Sequence, residues 1–535
     1  MGPTNGGPSP IPTLQLSRMT QEKNDAELSS ESNPRDPIQN GIFLVPKPSG
    51  DPQDPLNWTL KRKLTISFTL WFALFMSYSS AFNGQIQIAQ QATLYHKAVV
   101  EITYFNSATS GGLAAGCWVW WPLAKKIGRG AVIFWATAAV LVTQIWACYM
   151  RGPSNYNGFM AAKFFMGFFG QSLVILGPLY VVDLFFLHQR GRAFNLLGIA
   201  MNIGASAGPT FSGFITVSHP WYNEFWWTIG GTAFALVLIF LFVEETTWDR
   251  TSGAQNHRAQ GTWLRGRLQT FFFGTRVVKR PSGKELVTAF VVPFKHAISP
   301  VLLLCAGFDA ITFGFWVALN ALTPVWLQQP AKIGGYGFTV LENAAFTTVH
   351  WMTLIVSQLY GHLLSDRIPM WLCARNNGIW KPEFRLHALW IPNFMLTPIG
   401  LGLIGASLQY HLHWVVMAIG NFLVTFGAFQ GIPVTMNYVS ESFRKSTVEA
   451  IIPLSSMRLF FGLTINFYIN PWISAMGIGW VYGLMAFLCA GSFGFLVIIM
   501  WKGHALRETS PFHTAASEEG VKVISKKPEN LTMTG

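Results

Sequence analysis

The stretch G-A-S-A-G-P-T-F-S-G, residues 204–213, lies inside an apolar run that is long enough to cross a membrane. Gly204 and Gly208 are four positions apart, so they share one face of a helix. A face without large side chains lets a neighbouring helix approach closely. Pro209 removes a backbone donor and bends the helix. The stretch therefore predicts a kinked membrane helix with a smooth packing surface.

The composition is that of a membrane protein. Of the 535 residues, 51% are apolar and only 11% are charged, whereas soluble proteins are about 25% charged. The net charge of +13 is compatible with nucleic acid or an acidic membrane surface as a partner. The positions of the charges along the chain distinguish these two possibilities. The 5 cysteines are scattered and have no histidine cluster beside them, which argues against a disulfide framework and a zinc site.

Apolar runs of about 20 residues recur along the chain, and each is long enough to cross about 30 Å of hydrocarbon as a helix. They form two groups of six, separated by a polar stretch. The pattern predicts an all-α polytopic membrane protein. The predicted spans are 64–88, 103–123, 131–150, 158–184, 192–217 and 222–243, followed by 300–327, 339–364, 386–408, 414–438, 450–473 and 479–501.

The same pattern divides the chain into five parts. We expect a disordered cytoplasmic tail at 1–60, a six-helix bundle at 61–243, a cytoplasmic central loop at 244–299, a second six-helix bundle at 300–501, and a cytoplasmic tail at 502–535. The first tail is polar and rich in Pro and Gly, so it buries too little apolar surface to offset chain entropy. No apolar core precedes Leu64, so we expect no cleavable signal peptide.

The distribution of lysine and arginine predicts the orientation. With both termini cytoplasmic, sixteen basic residues flank the inner ends of the spans and nine more lie in the central loop, whereas the outer loops hold only Lys97, Arg151 and Lys332. Basic residues favour the cytoplasmic side of a membrane. This asymmetry explains the positive charge by contact with the lipid bilayer, without nucleic acid as a partner.

Two motifs give the chain a family resemblance. Residues 51–58 read D-P-Q-D-P-L-N-W before the first span, and residues 382–386 read P-E-F-R-L at the start of the ninth. Each half also carries a short basic loop after its second span, an internal repeat typical of secondary transporters. From Asp51 to Arg507 the chain resembles the major facilitator superfamily, in particular its fungal twelve-helix branch of drug:proton antiporters. The resemblance implies two pseudo-symmetric halves of six transmembrane helices each.

The superfamily's loop motif, G-x-L-a-D-R-x-G-R, falls on residues 121–130, which read W-P-L-A-K-K-I-G-R-G. Gly128 and Arg129 fit the motif, but Lys125 occupies the acidic position. In the family that carboxylate is thought to steady the start of the eleventh helix, because a helix N-terminus favours negative charge. A lysine at this position reverses the sign of the charge.

We therefore expect Glu441 or Glu449, which flank the start of the eleventh span, to supply the carboxylate and to pair with Lys125. The alternative is that Lys125 is a solvated lysine that follows the positive-inside rule. The second half carries a related sequence that keeps its acidic residue, Asp366, followed by Arg367.

The opening stretch matches the antiporter motif g-x-x-x-G-P-x-x-G-G of the fifth helix in this family. Gly204, Gly208, Pro209 and Gly213 coincide with the motif, and Ser212 replaces one of its glycines. Within the family the motif is associated with exporters rather than uptake permeases. The resemblance therefore implies export, as an analogy and not as a physical derivation.

Ionisable residues inside the predicted spans are functional candidates, because a charge at a helix centre costs about 2.5–3.5 kcal/mol. Lys163 takes the position of the family's intramembrane arginine in R-x-x-q-G, and Gly167 fits the same motif. The resemblance implies a proton or substrate site. Alternatively, the lysine snorkels to the outer interface.

Three more ionisable residues lie in the spans of the second half. Asp309 and Arg458 lie at equal depth on the seventh and eleventh spans, which are neighbours in the family, so we expect a buried ion pair. The pair is either structural, because mutual neutralisation stabilises buried charges, or couples transport to protonation. His350 titrates in a range suited to proton coupling, or is a hydrogen-bonded histidine in a helix interface.

In this family the first, fourth, seventh and tenth helices line the central cavity. We expect some amides of the spans to face substrate, and the sequence does not indicate which; these amides are Asn83, Gln85, Gln87, Asn320, Gln358, Gln430, Asn437 and Asn466. The chain has 44 Phe and 22 Trp, which indicates an aromatic cavity suited to an amphipathic organic molecule.

The resemblance implies proton-coupled export of a small organic compound, a drug, toxin or secondary metabolite, by alternating access. The alternative is proton-driven uptake of a nutrient or organic cation. The proton gradient is the energy source and no cofactor is expected. The enzyme motifs H-E-x-x-H and the P-loop do not occur in the sequence. We expect a monomer in the plasma membrane, with the vacuolar membrane as the alternative.

Overall fold

The computed structural model describes residues 38–39, 42–43, 48–49, 51–248, 262–272, 282–365, 367–443 and 446–509. Twelve long helical segments follow one another along this part of the chain, as predicted. Ten are continuous: α1 Leu60–Phe82, α2 Val99–Ile127, α3 Arg129–Tyr149, α4 Tyr156–Leu184, α5 Leu187–Ile215, α6 Glu224–Phe242, α7 Pro300–Gln328, α10 Trp414–Ser442, α11 Thr447–Met476 and α12 Ile478–Glu508.

Two segments of the second half are irregular. Segment α8 consists of Val340–Phe346, Thr348–Tyr360 and the π-helical turn Gly361–Ser365, and segment α9 consists of the 3₁₀-helix Pro382–Leu389, the π-helical stretch Trp390–Leu396 and the α-helix Thr397–Gln409. Pro392 has no amide hydrogen to donate, which favours a break at this point. The Asn393 amide donates to the carbonyl of Gly427 (3.2 Å) and the Thr397 hydroxyl to that of Pro392 (3.0 Å). The Thr397 side chain thus satisfies a carbonyl of the irregular stretch, and Asn393 joins the stretch to α10.

Several short elements connect the long helices. They are the α-helices Ile88–Tyr95, Trp263–Phe272, Gly283–Ala297 and Arg367–Arg375, the 3₁₀ turns Pro55–Asn57, Pro153–Asn155, Trp221–Asn223 and Ala331–Ile333, and the antiparallel strands β1 Ile38–Gln39 and β2 Ile42–Phe43.

Nine helices in the described ranges are long and apolar enough to cross a membrane. The other three segments are α2, α5 and α8. Helices α2 and α5 are rich in Gly, Ser, Thr and Asn, and α8 is divided into shorter pieces. All three face the junction of the two halves, where a helix needs no apolar surface on every side. The chain is a multi-pass membrane protein with six helical segments in each half.

Packing partners define two bundles. In the first, α1 packs on α4, α5 and α6, and α4 packs on α2 and α3; in the second, α7 packs on α11 and α12, and α10 packs on α8 and α9. The bundles meet chiefly through α2 with α11 and through α5 with α8. The two contacts leave space between the bundles for a cavity.

The D-P-x-x-P-x-N-W motif forms a compact turn before α1. Asp54 is fully buried, and its carboxylate accepts hydrogen bonds from the Leu56 amide (3.0 Å) and the Ser49 amide (2.9 Å). The Leu56 carbonyl in turn accepts from Lys63 Nζ (2.8 Å). This turn lies within the segment that the sequence assigned to the tail.

The central loop contains two helices that were not predicted from the sequence. Phe271, in Trp263–Phe272, is buried beside Phe134, with ring centroids 4.9 Å apart. Helix Gly283–Ala297 begins with a capping box between Ser282 and Glu285 and contacts both α2 and α11. These helices cover the end of the molecule at which α1 begins, which is the predicted cytoplasmic end.

Candidate functional site: a cavity between the two halves

The larger cavity lies between the two bundles and measures about 700 Å³, its open mouth included. It is bounded by α1, α2, α5, α7 and α8. Its lining residues combine rings, amides and hydroxyls: Phe82, Gln85, Ile86, Asn106, Ser110, Ala205, Ser206, Pro209, Trp316, Val317, Asn320, Thr323, Pro324, Asn343, Phe346, Thr347 and His350.

A second cavity of about 460 Å³ adjoins the first and shares Phe82, Ala205 and Trp316 with it. Helices α10 and α11 form part of its wall. Its aromatic residues form a connected series, because the Trp316 centroid lies 5.3 Å from that of Phe313 and 6.0 Å from that of Phe429. The expected aromatic lining is therefore present.

The expectation for the helices that line the cavity was partly wrong. Helices α1, α7 and α10 do contribute, but no residue of α4 is among the lining residues within the described ranges, and α2, α5, α8 and α11 contribute instead. Among the amides of the spans, Gln85 and Asn320 line the larger cavity. Gln430 instead donates to the Ser357 carbonyl (2.7 Å) in the contact between α10 and α8.

The small residues of α5 pack against the backbone of α1. A Cβ atom added to Gly204 would lie 2.6 Å from the Phe75 carbonyl oxygen, and one added to Gly208 would lie 2.4 Å from that of Ser79. Real Cβ atoms do not approach carbonyl oxygens this closely. The predicted smooth packing surface is confirmed, and α1 is the helix that uses it.

The end of the α5 motif contacts the other half of the molecule. A Cβ atom added to Gly213 would lie 2.7 Å from that of Ala344 in α8. The hydroxyls of Thr210 and Thr347 are 2.7 Å apart, and Trp351 Nε1 donates to Thr210 (3.1 Å). The motif therefore joins α1 to the junction between the halves, and its Pro209 lines the larger cavity.

Arg458 and Asp309 are both buried, with exposed fractions of 4% and 1%. The Asp309 carboxylate accepts from the Thr435 hydroxyl (2.8 Å), while the Arg458 guanidinium lies 5.0 Å from the ring centroid of Phe313. Within the described ranges the two charged side chains form no direct ion pair, so the predicted contact was wrong. Their charges still interact at longer range.

His350 lines the larger cavity and is half-buried, and its imidazole faces Asn421 of α10. The histidine is therefore placed both against a helix interface and beside the space that a substrate would occupy. Among the described residues, no group of three or more potential metal ligands is present at His350 or at any other place.

Lys163 is fully buried within the first bundle, so the snorkelling alternative is wrong. Its ammonium donates to the Asn83 carbonyl (2.6 Å) and lies 5.2 Å from the centroid of Phe105 and 5.3 Å from that of Phe225. Its charged neighbour is Glu224, at the start of α6.

Glu224 is a site residue that was not predicted from the sequence. The residue is fully buried, and its carboxylate faces the Gly84 amide as well as the charge of Lys163. Gly84 has a positive φ of 92°, a conformation that glycine adopts at no steric cost. The signal in the sequence was a carboxylate two residues inside a predicted span, where an ionisable group is a functional candidate by default.

The side-chain amide of Asn83 holds three helices together beside this pair. In either orientation of the amide it contacts Ser212 of α5 and Thr228 of α6. Ser212, which replaces a glycine of the family motif, therefore has a hydrogen-bonding partner of its own in α1.

Lys125 pairs with Glu449 across the contact between α2 and α11. Its Nζ lies 3.4 Å from Glu449 Oε1 and 4.4 Å from the ring centroid of Trp121, whose Nε1 donates to the same oxygen (3.2 Å). The predicted contact between Lys125 and one of the two glutamates is confirmed. Glu441 instead accepts from Arg385 Nε (2.7 Å).

The P-E-x-R-L motif supplies both charges of a network at the same end of the molecule. Arg385 bonds Glu441 of α10, and Glu383 forms a buried salt bridge with Arg507 at the end of α12. The Arg507 guanidinium also contacts the Tyr438 hydroxyl (3.5 Å). The motif therefore fastens α9 to α10 and α12.

Gly128 is the single residue that separates α2 from α3, with a φ of 93°. The next residue, Arg129, forms a salt bridge with Asp183 at the end of α4. In the second half, Asp366 lies outside the described residues, and Arg367 begins the short helix after α8 with its side chain exposed.

Comparisons with known proteins agree with this architecture. The sequence model of the Major Facilitator Superfamily matches residues 64–451. Efflux pump radE of Floropilus chiversii is 24% identical over 482 residues, covering 86% of this chain and 84% of that protein. MFS-type efflux pump MFS2 of Trichophyton rubrum is 25% identical over 503 residues, covering 91% and 80%. A partially occluded inward-open structure of the xylose transporter XylE from E. coli aligns with a TM-score of 0.58 at 12% identity, covering 83% of this chain and 98% of that one.

Proposed function

Because the superfamily model matches most of its length, this chain belongs to the Major Facilitator Superfamily, and we propose that it exports a small organic compound by proton antiport. The chain is a transporter and not an enzyme. The proposed cycle moves the cavity between the halves from one side of the membrane to the other by alternating access. A proton that crosses about 100 mV supplies about 2.3 kcal/mol toward this movement.

The observation that carries the direction of transport is the α5 motif. Gly204 and Gly208 pack on α1, and Gly213 contacts α8 of the other half, so the exporter-type motif has a defined structural role in this chain. The two curated relatives above are themselves named efflux pumps. Both points support export by analogy, and the packing gives the motif a structural role in this chain.

The contacts between the halves support alternating access. At the predicted outer end, Thr210 of α5 contacts Thr347 of α8. At the predicted cytoplasmic end, Lys125 of α2 contacts Glu449 of α11. Each contact joins the two halves through polar side chains, which a rocking motion separates and reforms at small cost in exposed apolar surface.

For the coupling to protons we propose Lys163 with Glu224, Asp309 and His350. The first three are buried and the fourth lines the cavity. Gain or loss of a proton changes the charge at each position inside the membrane, where charge is costly. The conformational motifs of the proposal are those around Gly128 and Arg129 and around Asp366 and Arg367.

The alternative is proton-driven uptake of a nutrient or organic cation, and one measurement separates the two. We propose a monomer in the plasma membrane with both termini cytoplasmic. Cells that express the chain are compared with cells that lack it by untargeted metabolite analysis of cells and medium. Export lowers the cellular content of the transported compound and raises its content in the medium, whereas uptake does the opposite.

Proton coupling is tested on inside-out vesicles, with a compound that this comparison identifies added to the outer medium. An imposed proton gradient, acidic inside, drives accumulation of the compound, and a protonophore abolishes it. Accumulation that is unchanged by the protonophore refutes antiport and leaves the direction of transport standing.

A further inference from the structure

Arg458 presents an incompletely paired positive charge to the smaller cavity. It is 4% exposed and belongs to the cavity wall. Within the described ranges its Nε and Nη1 atoms have no hydrogen-bond partner. A buried guanidinium is costly unless a charged or polar group satisfies it. Arg458 is therefore positioned to bind a polar or charged group of a ligand.

The buried carboxylate of Asp309, whose charge interacts with that of Arg458, does not fill that role. Asp309 is engaged by the Thr435 hydroxyl, lies beyond ion-pair distance of Arg458 and is absent from the lining of both cavities. Within the described ranges no Asp or Glu lines either cavity, and the basic side chains in the lining are Arg458 and His350. The charge of the lining therefore favours an anion over a cation.

The apolar part of the wall is aromatic and continuous with this charge. The Arg458 guanidinium lies 5.0 Å from the ring centroid of Phe313. The Phe313 centroid lies 5.3 Å from that of Trp316, which in turn lies 6.0 Å from that of Phe429. Aromatic rings bind planar apolar groups by stacking and edge contacts. Amides such as Asn202 and Asn320 supply neutral hydrogen-bonding groups beside them.

We propose that Arg458 binds the acidic group of the transported compound, and that the substrates are amphipathic organic anions such as aromatic carboxylates. This inference rests on the proposed transport function and names its substrate class. A carboxylate accepts two parallel N–H bonds from a guanidinium. The aromatic part of the compound then lies against Trp316 and Phe429, across the shared wall of the two cavities.

The test uses two probes of nearly the same shape, 2-naphthoic acid, which is an anion at neutral pH, and the neutral 2-naphthamide. Binding of each to the purified full-length protein in lipid nanodiscs is measured by calorimetry at neutral pH. We expect the acid to bind at least about tenfold more tightly than the amide, since a hydrogen bond to a charged group contributes at least this much. In Arg458→Gln the preference disappears while the weak binding of the amide persists.

Two further variants complete the design. Arg458→Lys keeps the charge and loses the two-bond geometry, so we expect it to retain part of the preference. Arg151→Gln is the matched control, because it removes a positive charge whose side chain is exposed beside Tyr222 and should leave both affinities unchanged. Equal binding of acid and amide to the wild-type protein, or no binding of either, overturns the proposal even if Arg458→Gln does not fold.

An acid preference that persists in Arg458→Gln also overturns the proposal. Failure of the anion-site proposal can be distinguished from failure of the proposed transport function. A protein that prefers the acid but does not alter cellular metabolite content would refute the proposed export and leave the anion site standing. A protein that exports a neutral compound equally well in Arg458→Gln would refute the anion site alone.

Discussion

The Lys125 ammonium lies 3.4 Å from a carboxylate oxygen of Glu449, and the two residues belong to different halves of the molecule. In the family that the chain resembles, the position of Lys125 is acidic and steadies the start of the eleventh helix. Here the carboxylate is on the eleventh helix itself and the cation is on the second. Glu449 also lies in the first turn of α11, where the helix dipole favours a negative charge.

We expect Lys125→Glu to weaken the closed arrangement at the predicted cytoplasmic end, because it places two carboxylates against each other. The exposed fractions of the two side chains are 37% and 15%, so the pair contributes on the order of 1 kcal/mol or less. The expected effect is a few-fold decrease in transport rate. The reversed pair, Lys125→Glu with Glu449→Lys, should recover part of the rate in the same assay.

The control for this experiment is Lys126→Glu, which changes the same charge at the neighbouring position. If it lowers transport as much as Lys125→Glu, the effect comes from the general basic charge of the loop and not from the contact with Glu449.

A second prediction concerns the glycine face of α5. Gly208→Ala should lower thermal stability and transport, because the new Cβ would lie 2.4 Å from the Ser79 carbonyl oxygen. Forced overpacking of this kind costs about 1–3 kcal/mol. Gly198→Ala in the same helix is the matched control, since no atom lies within 4 Å of its added Cβ. Both are measured by thermal unfolding in detergent, and equal melting temperatures for the two variants would contradict the packing argument.

Much of the fold was predictable because each membrane helix needs a long apolar run. Ten of the twelve predicted spans correspond to continuous helices. Periodicity gave no sign of the breaks in α8 and α9, which depend on local features such as Pro392 and the hydrogen bonds of Asn393. The two helices of the central loop were missed because the surrounding sequence is polar, and their apolar faces pack on α2, α3 and α11.

The sequence predicted how deep in the membrane a site residue lies, because that depth depends only on its position along its own helix. Asp309 and Arg458 were predicted at the same depth in the membrane from their positions along the seventh and eleventh spans. The direction in which each side chain points depends instead on the packing of α7, α10 and α11. Thr435 took the place predicted for Arg458 beside the aspartate. Glu224 was missed because it lies near the end of its span, where carboxylates are common.

The third prediction is a pH dependence of stability that arises at His296 in the loop helix Gly283–Ala297. The side chain is fully buried beside Phe443, and burial lowers the pKa of His296 while the charge of Glu449 opposes this shift. The folded state therefore favours the neutral imidazole. The contribution of His296 to the free energy of unfolding is therefore fully present above the unfolded-state pKa of about 6.5. It is lost as the pH falls below that value, by at most about 1.4 kcal/mol per pH unit.

This dependence is measured as the melting temperature in detergent between about pH 7.5 and pH 5, a range that spans the unfolded pKa of histidine. In His296→Gln the decrease below pH 6.5 should be smaller than in the wild-type protein. An equal decrease in both would show that other groups are responsible.

The fourth prediction concerns Lys163 and Glu224. Removal of one buried charge leaves the other without its electrostatic neighbour, which costs about 3–5 kcal/mol when a buried pair is broken. We therefore expect Lys163→Gln and Glu224→Gln each to reduce the yield of folded protein. The double variant should recover yield, as judged by fluorescence-detected gel filtration. A double variant that is less stable than both single variants would show that the two charges do not stabilise each other.

The last prediction separates a structural from a coupling role for Asp309. Asp309→Asn has nearly the same shape and can still accept the Thr435 hydrogen bond, so we expect normal expression. If the carboxylate carries the coupled proton, this variant loses accumulation driven by a proton gradient in inside-out vesicles, while exchange of compound without a gradient continues. Thr435→Val is the matched control, because it removes the hydrogen bond and keeps the carboxylate. Gradient-driven transport that survives in Asp309→Asn would assign this carboxylate a structural role and leave the coupling to Lys163 with Glu224 or to His350.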